Sequence, residues 1–141
     1  IYETTIKEDK FVGSDIWGFF DQGDATDQCI KDGARNILII LTDGYIYDKN
    51  NRKKDGDNYS YIVEQTLDIE GSGLIPPRHK DKLDQLEVLV LECNASSPEK
   101  FNKMRDIMEN WFNDMGVKKC KILKTDVPST TKNIIADFLK D

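Results

Sequence analysis

The pattern of hydrophobic and polar positions predicts three strands, of which the first two should be buried. Residues 36–41 read Asn-Ile-Leu-Ile-Ile-Leu, residues 86–93 read Leu-Glu-Val-Leu-Val-Leu-Glu-Cys, and a third strand-like run covers residues 119–124. Runs of this length that are rich in Val, Ile and Leu are typical of parallel strands covered by helices. We therefore expect these three strands to be adjacent and parallel.

Amphipathic segments lie between the strands. The clearest has apolar residues at helical spacing, at Phe101, Met104, Ile107, Met108, Trp111, Phe112 and Met115. Ser96 and Glu99 have capping-box spacing, and Pro98 suits the first turn, so this helix should begin there and end at Gly116. We interpret the apolar stripe as a face that packs on the sheet rather than a binding surface.

Shorter helices are predicted elsewhere in the chain. Ser14 or Asp15 can cap a helix that runs through Phe20, a second helix should cover about residues 24–32, and Ser129 can cap a last helix. Residues 1–8 are a possible strand or an extended lead-in. Alternation of strand and helix predicts one α/β domain, a mostly parallel, Rossmann-like sheet with helices on both faces.

Residues 45–85 interrupt this alternation as a polar insertion between two strands. Residues 49–57 are polar and contain strong turn formers, and β-prone residues flank them on both sides, which predicts a protruding hairpin. Asp55 and Asp57 lack the regular acidic spacing and the closing Glu of a calcium loop, so we interpret them as turn residues. Two glycines and two prolines in residues 71–77 predict a loop.

Composition narrows the class of partner. The chain of 141 residues has a formal net charge of −6, and nucleic-acid binding requires a basic face, so nucleic acid is not expected to be the main partner. No apolar run approaches the roughly 20 residues of a membrane span. Cys29, Cys93 and Cys120 lack metal-ligand spacing and are expected to be free thiols. Reduced cysteines are compatible with the cytoplasm, but an export signal upstream of Ile1 is equally compatible with the sequence, so the compartment stays open.

Two short motifs carry a resemblance to a known family. Residues 13–16 read Gly-Ser-Asp-Ile, and residues 39–44 read Ile-Ile-Leu-Thr-Asp-Gly. Together they resemble the von Willebrand factor A (vWA) family, in which a Gly-Ser or Gly-Thr loop and a strand-ending Thr-Asp-Gly contribute to a metal-ion-dependent adhesion site. Ser14 and Asp43 are 29 positions apart, as the layout of that family requires. The resemblance covers residues 11–44 by motif and the remainder by the order of elements.

The resemblance implies a three-layer fold and a Mg²⁺ site to which Ser14 and Asp43 contribute. The defining Asp-x-Ser-x-Ser of the family is absent from these residues, so the chain resembles the carboxyl-terminal part of such a domain. Mg²⁺ requires six oxygen ligands, and Ser14 and Asp43 alone would make a poor site. Ser14 as a helix cap, Asp43 as a turn residue and Asp15 as a first-turn carboxylate are the structural alternatives.

Two functional hypotheses follow. The first is a non-enzymatic adhesion-type module that binds another protein, with or without a divalent metal. The alternative is a metal-dependent α/β hydrolase or nuclease that uses Asp43 together with Asp15 and Asp21, which would have to converge on the metal ions. The net acidic charge disfavours a nuclease. His79, the only histidine, has no nucleophile motif near it, so we do not expect it to be catalytic.

Overall fold

A computed structural model of the chain describes residues 13–140. In chain order the elements are β1 (Gly13–Ser14), α1 (Ile16–Asp21), α2 (Asp24–Cys29), β2 (Asn36–Leu41), β3 (Tyr47–Asp48), β4 (Lys54–Asp55), β5 (Asn58–Tyr59), α3 (Glu64–Leu67), β6 (Gly73–Leu74), a 3₁₀ turn (Leu83–Gln85), β7 (Leu86–Cys93), α4 (Pro98–Asp114), β8 (Lys119–Lys124) and α5 (Pro128–Lys140).

The three long strands form one parallel sheet, which confirms the prediction of an α/β fold built on adjacent parallel strands. The strand order is β2-β7-β8, so β7 is central. Leu38 pairs with Val88, and Val88 pairs with Cys120 on the other side. β7 is buried along nearly its whole length because both of its edges and both of its faces are covered.

The two long helices cover opposite faces of this sheet. Because side chains alternate along a strand, Val88 and Val90 point to one face and Leu89 and Leu91 to the other. The first pair belongs to the main core, together with the apolar stripe of α4. The second pair packs against Phe138 of α5. The expected roles of both helices are therefore confirmed.

The polar insertion of residues 45–85 contributes to the core instead of protruding from it. Ile46 and Ile62 bridge its two flanks and are each only 1% exposed. The expected turn is present as a hairpin of β4 and β5 around Gly56, which β6 extends in parallel. Its carbonyl at Ile75 accepts hydrogen bonds from both tryptophan indoles of the main core, at 2.7 and 3.0 Å. The insertion is polar on its surface but anchored by apolar residues.

Several helix boundaries differ from the predictions by one to three residues. α4 is capped by Ser97, whose hydroxyl accepts from the amide of Lys100, rather than by Ser96. α5 begins at Pro128, so Ser129 lies inside the helix. α2 ends at Cys29 rather than near residue 32 because Ile30 is extended. The local capping patterns predicted the presence of each helix, but adjacent serine and proline residues did not fix which of them begins it.

The outer edge of β2 is unpaired among the described residues. β2 pairs with β7 alone, and the strands of residues 45–63 pair elsewhere, so they do not cover this edge as the sequence allowed. Residues 1–8, the other candidate, lie outside the described residues. Leu41 is 70% exposed and Ile39 is 39% exposed, so the prediction that this strand is buried on both faces is wrong, because no described residue covers one side of it.

Candidate binding edge of the parallel sheet

The loops that follow β2, β7 and β8 meet at the carboxyl edge of the parallel sheet. The amide of Asn94 donates to the carbonyl of Asp43 at 2.8 Å, which ties the β2 loop to the β7 loop. The amide of Thr125 donates to the carbonyl of Cys93, also at 2.8 Å, which ties the β8 loop to β7. Ligands of open α/β sheets bind outside this edge, so the three loops define the candidate site.

The chain forms a tight turn at Thr42, Asp43 and Gly44, and hydrogen bonds within the turn hold it. The Thr42 hydroxyl accepts from the amide of Gly44 at 3.1 Å, and an Asp43 carboxylate oxygen accepts from the amide of Tyr45 at 3.0 Å. Asp43 is exposed. Its side chain therefore acts as a turn residue, the structural alternative given above, and it also faces solvent at the sheet edge.

Ser14 lies on the short strand β1, where it pairs with Tyr47 of β3. It is exposed, and it lines a cavity of about 260 Å³ with Asp15, Leu38 and Ile40 beside the free edge of β2. Ser14 does not cap α1, because the Asp15 carboxylate accepts from the amide of Gly18 at 2.8 Å. Asp15 is thus a cap rather than a first-turn carboxylate.

The described residues do not by themselves provide a full set of ligands for Mg²⁺. In the part of the chain that the structure describes, no three His, Cys, Asp or Glu side chains are placed to hold a metal. Ser14 and Asp43 would supply two oxygens, and Mg²⁺ needs near-octahedral coordination. Water can fill some positions around Mg²⁺, but tight binding at these residues would require further oxygen ligands from outside residues 13–140.

The three carboxylates of the hydrolase hypothesis have separate bonding partners. Both carboxylate oxygens of Asp15 also accept hydrogen bonds from the side-chain amide of Asn51, at 3.0 and 3.1 Å. Asp21 is 2% exposed and binds the guanidinium of Arg78 at 2.9 and 3.1 Å, as well as the backbone amide of Arg78 at 2.9 Å. Burial alone would raise the pKa of Asp21, but the contacts with Arg78 outweigh it and hold the pKa below its usual value. Asp21 serves to attach the loop of Arg78 to α1.

Two further groups with chemical potential are bound structurally. The imidazole Nδ1 of His79 lies 2.5 Å from the carbonyl of Asp21, so it helps hold the same loop. Cys93 is fully buried, and burial together with the nearby charges of Asp43 and Glu92 raises the pKa of its thiol to about 12. The Cys93 thiol is therefore protonated at neutral pH and is not an activated nucleophile.

A β-bulge near the end of β7 was missed by sequence reasoning. Val90 pairs with Ile122 and Cys93 with Lys124, so β7 carries one extra residue there. Glu92 has a φ of 72°, a conformation that non-glycine residues rarely adopt. Its carboxylate accepts from the hydroxyls of Thr125 and Thr131 at 2.7 and 3.3 Å. The bulge thus lets Cys93 face the core while Glu92 joins β8 and α5 at the candidate edge.

A cavity lies at this edge, between the ends of β7 and β8 and the start of α4. Its volume is about 560 Å³, within the range of ligand sites. Apolar atoms of Phe101 and Ile122 form part of its wall, and Arg105 and Lys124 supply positive charge. No acidic side chain lines it within the described chain. We call this cavity the α4 crevice.

None of the helices in residues 13–140 combines the length and apolar character needed to cross a membrane. No protein-family model, curated protein sequence or solved structure matches the chain. The features that bear on function are therefore the parallel sheet and the geometry of its carboxyl edge.

Proposed function

We propose that this domain is a non-enzymatic, adhesion-type module that binds another protein at the carboxyl edge of its parallel sheet. The observation that carries the proposal is the convergence at one edge of the exposed Asp43 turn, the β7 loop and the α4 crevice. Loops on a rigid sheet are the usual place for binding residues. The carboxylates that a hydrolase would need are instead engaged in a cap and an ion pair.

The proposal includes a vWA-like three-layer architecture. It is supported by the placement of the Thr-Asp-Gly turn at the end of β2 and by α4 and α5 on opposite faces of the sheet. In such a domain Ser14 and Asp43 would contribute oxygens to Mg²⁺ together with ligands from outside the described residues. Mg²⁺ would then supply a positive charge for a carboxylate of the partner.

Site-specific photo-crosslinking in the cells of origin tests which edge meets the partner. Asn94 and Asp84 lie just beyond the carboxyl and amino ends of β7, and both are exposed. A benzophenone side chain placed at Asn94 is expected to form a covalent adduct with another protein, whereas the same group at Asp84 is not. Equal adducts at both positions, or none at either, would contradict the proposal. Phosphodiester hydrolysis lost in Asp43→Ala would instead support the hydrolase alternative.

A further inference from the structure

The charged side chains that line the α4 crevice are cationic, although the chain as a whole is acidic. The chain has 26 acidic and 20 basic side chains, yet the crevice is lined by Arg105 and Lys124 and, within residues 13–140, by no carboxylate. The ion pairs of the described chain leave Lys124 without an acidic partner. Arg105 makes two long contacts with the carboxylate of its sequence neighbour Asp106, at 3.3 and 3.4 Å, and the exposed Asp106 does not line the crevice. Both cations are thus available to an anion that enters the crevice.

The wall beneath these cations is apolar and well fixed. The guanidinium carbon of Arg105 lies 5.9 Å from the centre of the Phe101 ring. Ile122 is 3% exposed, and Cys93 is fully buried. An apolar wall excludes water from one side of an incoming carboxylate, which strengthens its attraction to the cations.

The rim supplies neutral hydrogen-bonding groups. Asn94 and Asn102 line the crevice, and both are exposed. An extended peptide presents backbone donors and acceptors that such amides can bind. A small free anion would use the two cations but not the apolar wall or the spaced amides.

We propose that the α4 crevice binds an acidic peptide segment of the partner protein, with a carboxylate side chain beside an apolar one. The carboxylate would bind Arg105 and Lys124, and the apolar side chain would pack on Phe101. This inference rests on the proposed function and names the chemistry of the partner. The charge complementarity of the crevice, against a net charge of −6 for the chain, carries it.

Amide NMR titration of the intact chain tests the proposal with two capped peptides, acetyl-Gly-Asp-Phe-Asp-Gly-amide and its Asn-for-Asp analogue. The acidic peptide is expected to shift the amide resonances of Ala95, Phe101 and Lys124. The neutral analogue should bind at least about tenfold more weakly, because charge-assisted hydrogen bonds are lost. Inorganic phosphate, titrated separately, should bind much more weakly than the acidic peptide, because it would contact the two cations but not the apolar wall.

Matched variants separate the crevice from the rest of the surface. Lys124→Gln is expected to weaken the acidic peptide about fivefold or more, whereas Lys121→Gln, an exposed lysine of the same strand that does not line the crevice, should not. Asn102→Asp should weaken binding, and Asn110→Asp, on the same helix but outside the crevice, should leave it unchanged. Thermal unfolding of each variant checks that the fold is retained.

Equal affinity for the acidic and neutral peptides would overturn the inference. So would an unchanged affinity in folded Lys124→Gln, or an equal response to phosphate, which would indicate a small-anion site. No shift of the crevice amides with any probe would also overturn it. None of these outcomes determines the result of the crosslinking experiment at Asn94, so the proposed function is tested separately.

Discussion

At the scale of single residues, Gly44 explains why the turn after β2 has its sequence. Its φ is 97°, which L-residues rarely adopt. A Cβ atom here would lie 2.1 Å from the sulphur of Met104, which is fully buried in α4. The turn therefore needs glycine both for its conformation and for its close approach to the helix.

Gly44→Ala is expected to destabilise the fold by about 2–4 kcal/mol, since backbone strain and overpacking against Met104 add. Gly56→Ala is the matched control, because Gly56 also has a positive φ, of 59°, but open space around its Cβ position. Its cost should be about 1–2 kcal/mol from strain alone. Urea unfolding of both variants measures the difference, and equal losses would show that the contact with Met104 is unimportant.

Asp43 is the residue on which the metal hypothesis depends. If the parent protein supplies the missing oxygen ligands, Asp43→Ala should abolish Mg²⁺ binding in calorimetric titration. Stability should fall by no more than about 1 kcal/mol, because the exposed side chain accepts only one hydrogen bond within the described chain, from Tyr45. Equal Mg²⁺ affinity in wild type and variant would contradict the hypothesis of a metal-ion-dependent adhesion site. If the missing ligands are absent, Mg²⁺ should not bind, and the polar insertion becomes the better candidate for partner contact.

At the scale of elements, two buried charges hold segments that are distant in sequence. Asp21 at the end of α1 binds Arg78 of the loop before β7. Glu87 of β7, 5% exposed, binds Arg35 at 2.6 Å, and Arg35 also donates to the carbonyl of Phe138 in α5. Hydrogen bonds from Arg35 lower the pKa of Glu87 despite burial. Each carboxylate is thus paired and stays ionised at neutral pH.

The Asp21–Arg78 contact should make the fold sensitive to acid. The pKa of Asp21 is lowered in the folded state from an ordinary value of 3.8, so in acid the unfolded state binds more protons. This stabilisation is complete above the ordinary value and is lost as pH falls through the folded pKa, from about pH 5 downwards. Asp21→Asn should flatten the dependence of unfolding free energy on pH in that window.

Removal of the cation should be costly at neutral pH. Arg78→Gln leaves the buried Asp21 carboxylate with the Arg78 backbone amide as its remaining donor, at an expected cost of about 1–3 kcal/mol, discounted because the Arg78 side chain is 71% exposed. Asp32→Asn, which breaks the exposed pair with Lys82, serves as the control and should have little effect. Denaturant unfolding of Arg78→Gln, Asp32→Asn and Asp21→Asn between pH 2 and 7 tests the Asp21–Arg78 ion pair. If the free energy of unfolding of Asp21→Asn fell in acid as steeply as that of the wild type, the proposed contribution of the pair would be wrong.

At the scale of the whole molecule, the main irregularity is the outer side of β2, which no described residue covers. Ile39 and Leu41 lie on the α5 side of the sheet and are 39% and 70% exposed, although α5 covers the neighbouring strand. An exposed apolar edge strand is a template for association. We expect this edge to be covered in the functional protein, by a partner or by residues outside the described part.

Sedimentation analysis checks this expectation. If a partner normally covers the edge, the isolated chain should self-associate, and Ile39→Thr should reduce the association. If residues outside the described part cover it, the chain should be a monomer whose β2 amides are protected from exchange. Ile69→Thr is the matched control, since Ile69 is exposed to a similar extent, 40%, but lies in the polar insertion. A monomeric wild-type chain whose β2 amides exchange rapidly with deuterium would contradict a covered edge, and an equal effect of both substitutions would place the association elsewhere.

The sequence by itself determined the elements of the parallel sheet and their order. The apolar runs at residues 36–41 and 86–93 and the amphipathic pattern at residues 98–114 were sufficient to predict parallel strands with a covering helix. Burial on both faces, however, holds for residues 86–93 and not for residues 36–41. The turn at Asp43 could also be predicted, because it is formed by residues that are adjacent in sequence. Whether Ser14 and Asp43 act together could not be predicted, since it depends on residues outside the described chain.

Tertiary structure alone decided the rest. The insertion of residues 45–85 looked like a protruding hairpin because its few buried residues, such as Ile46 and Ile62, are separated by a polar run and meet only through pairing across it. The bulge at Glu92 was invisible because a strand's apolar alternation does not reveal one extra residue. The α4 crevice joins side chains from β8, α4 and the β7 loop, and their common position follows from strand register and helix packing rather than from any local pattern.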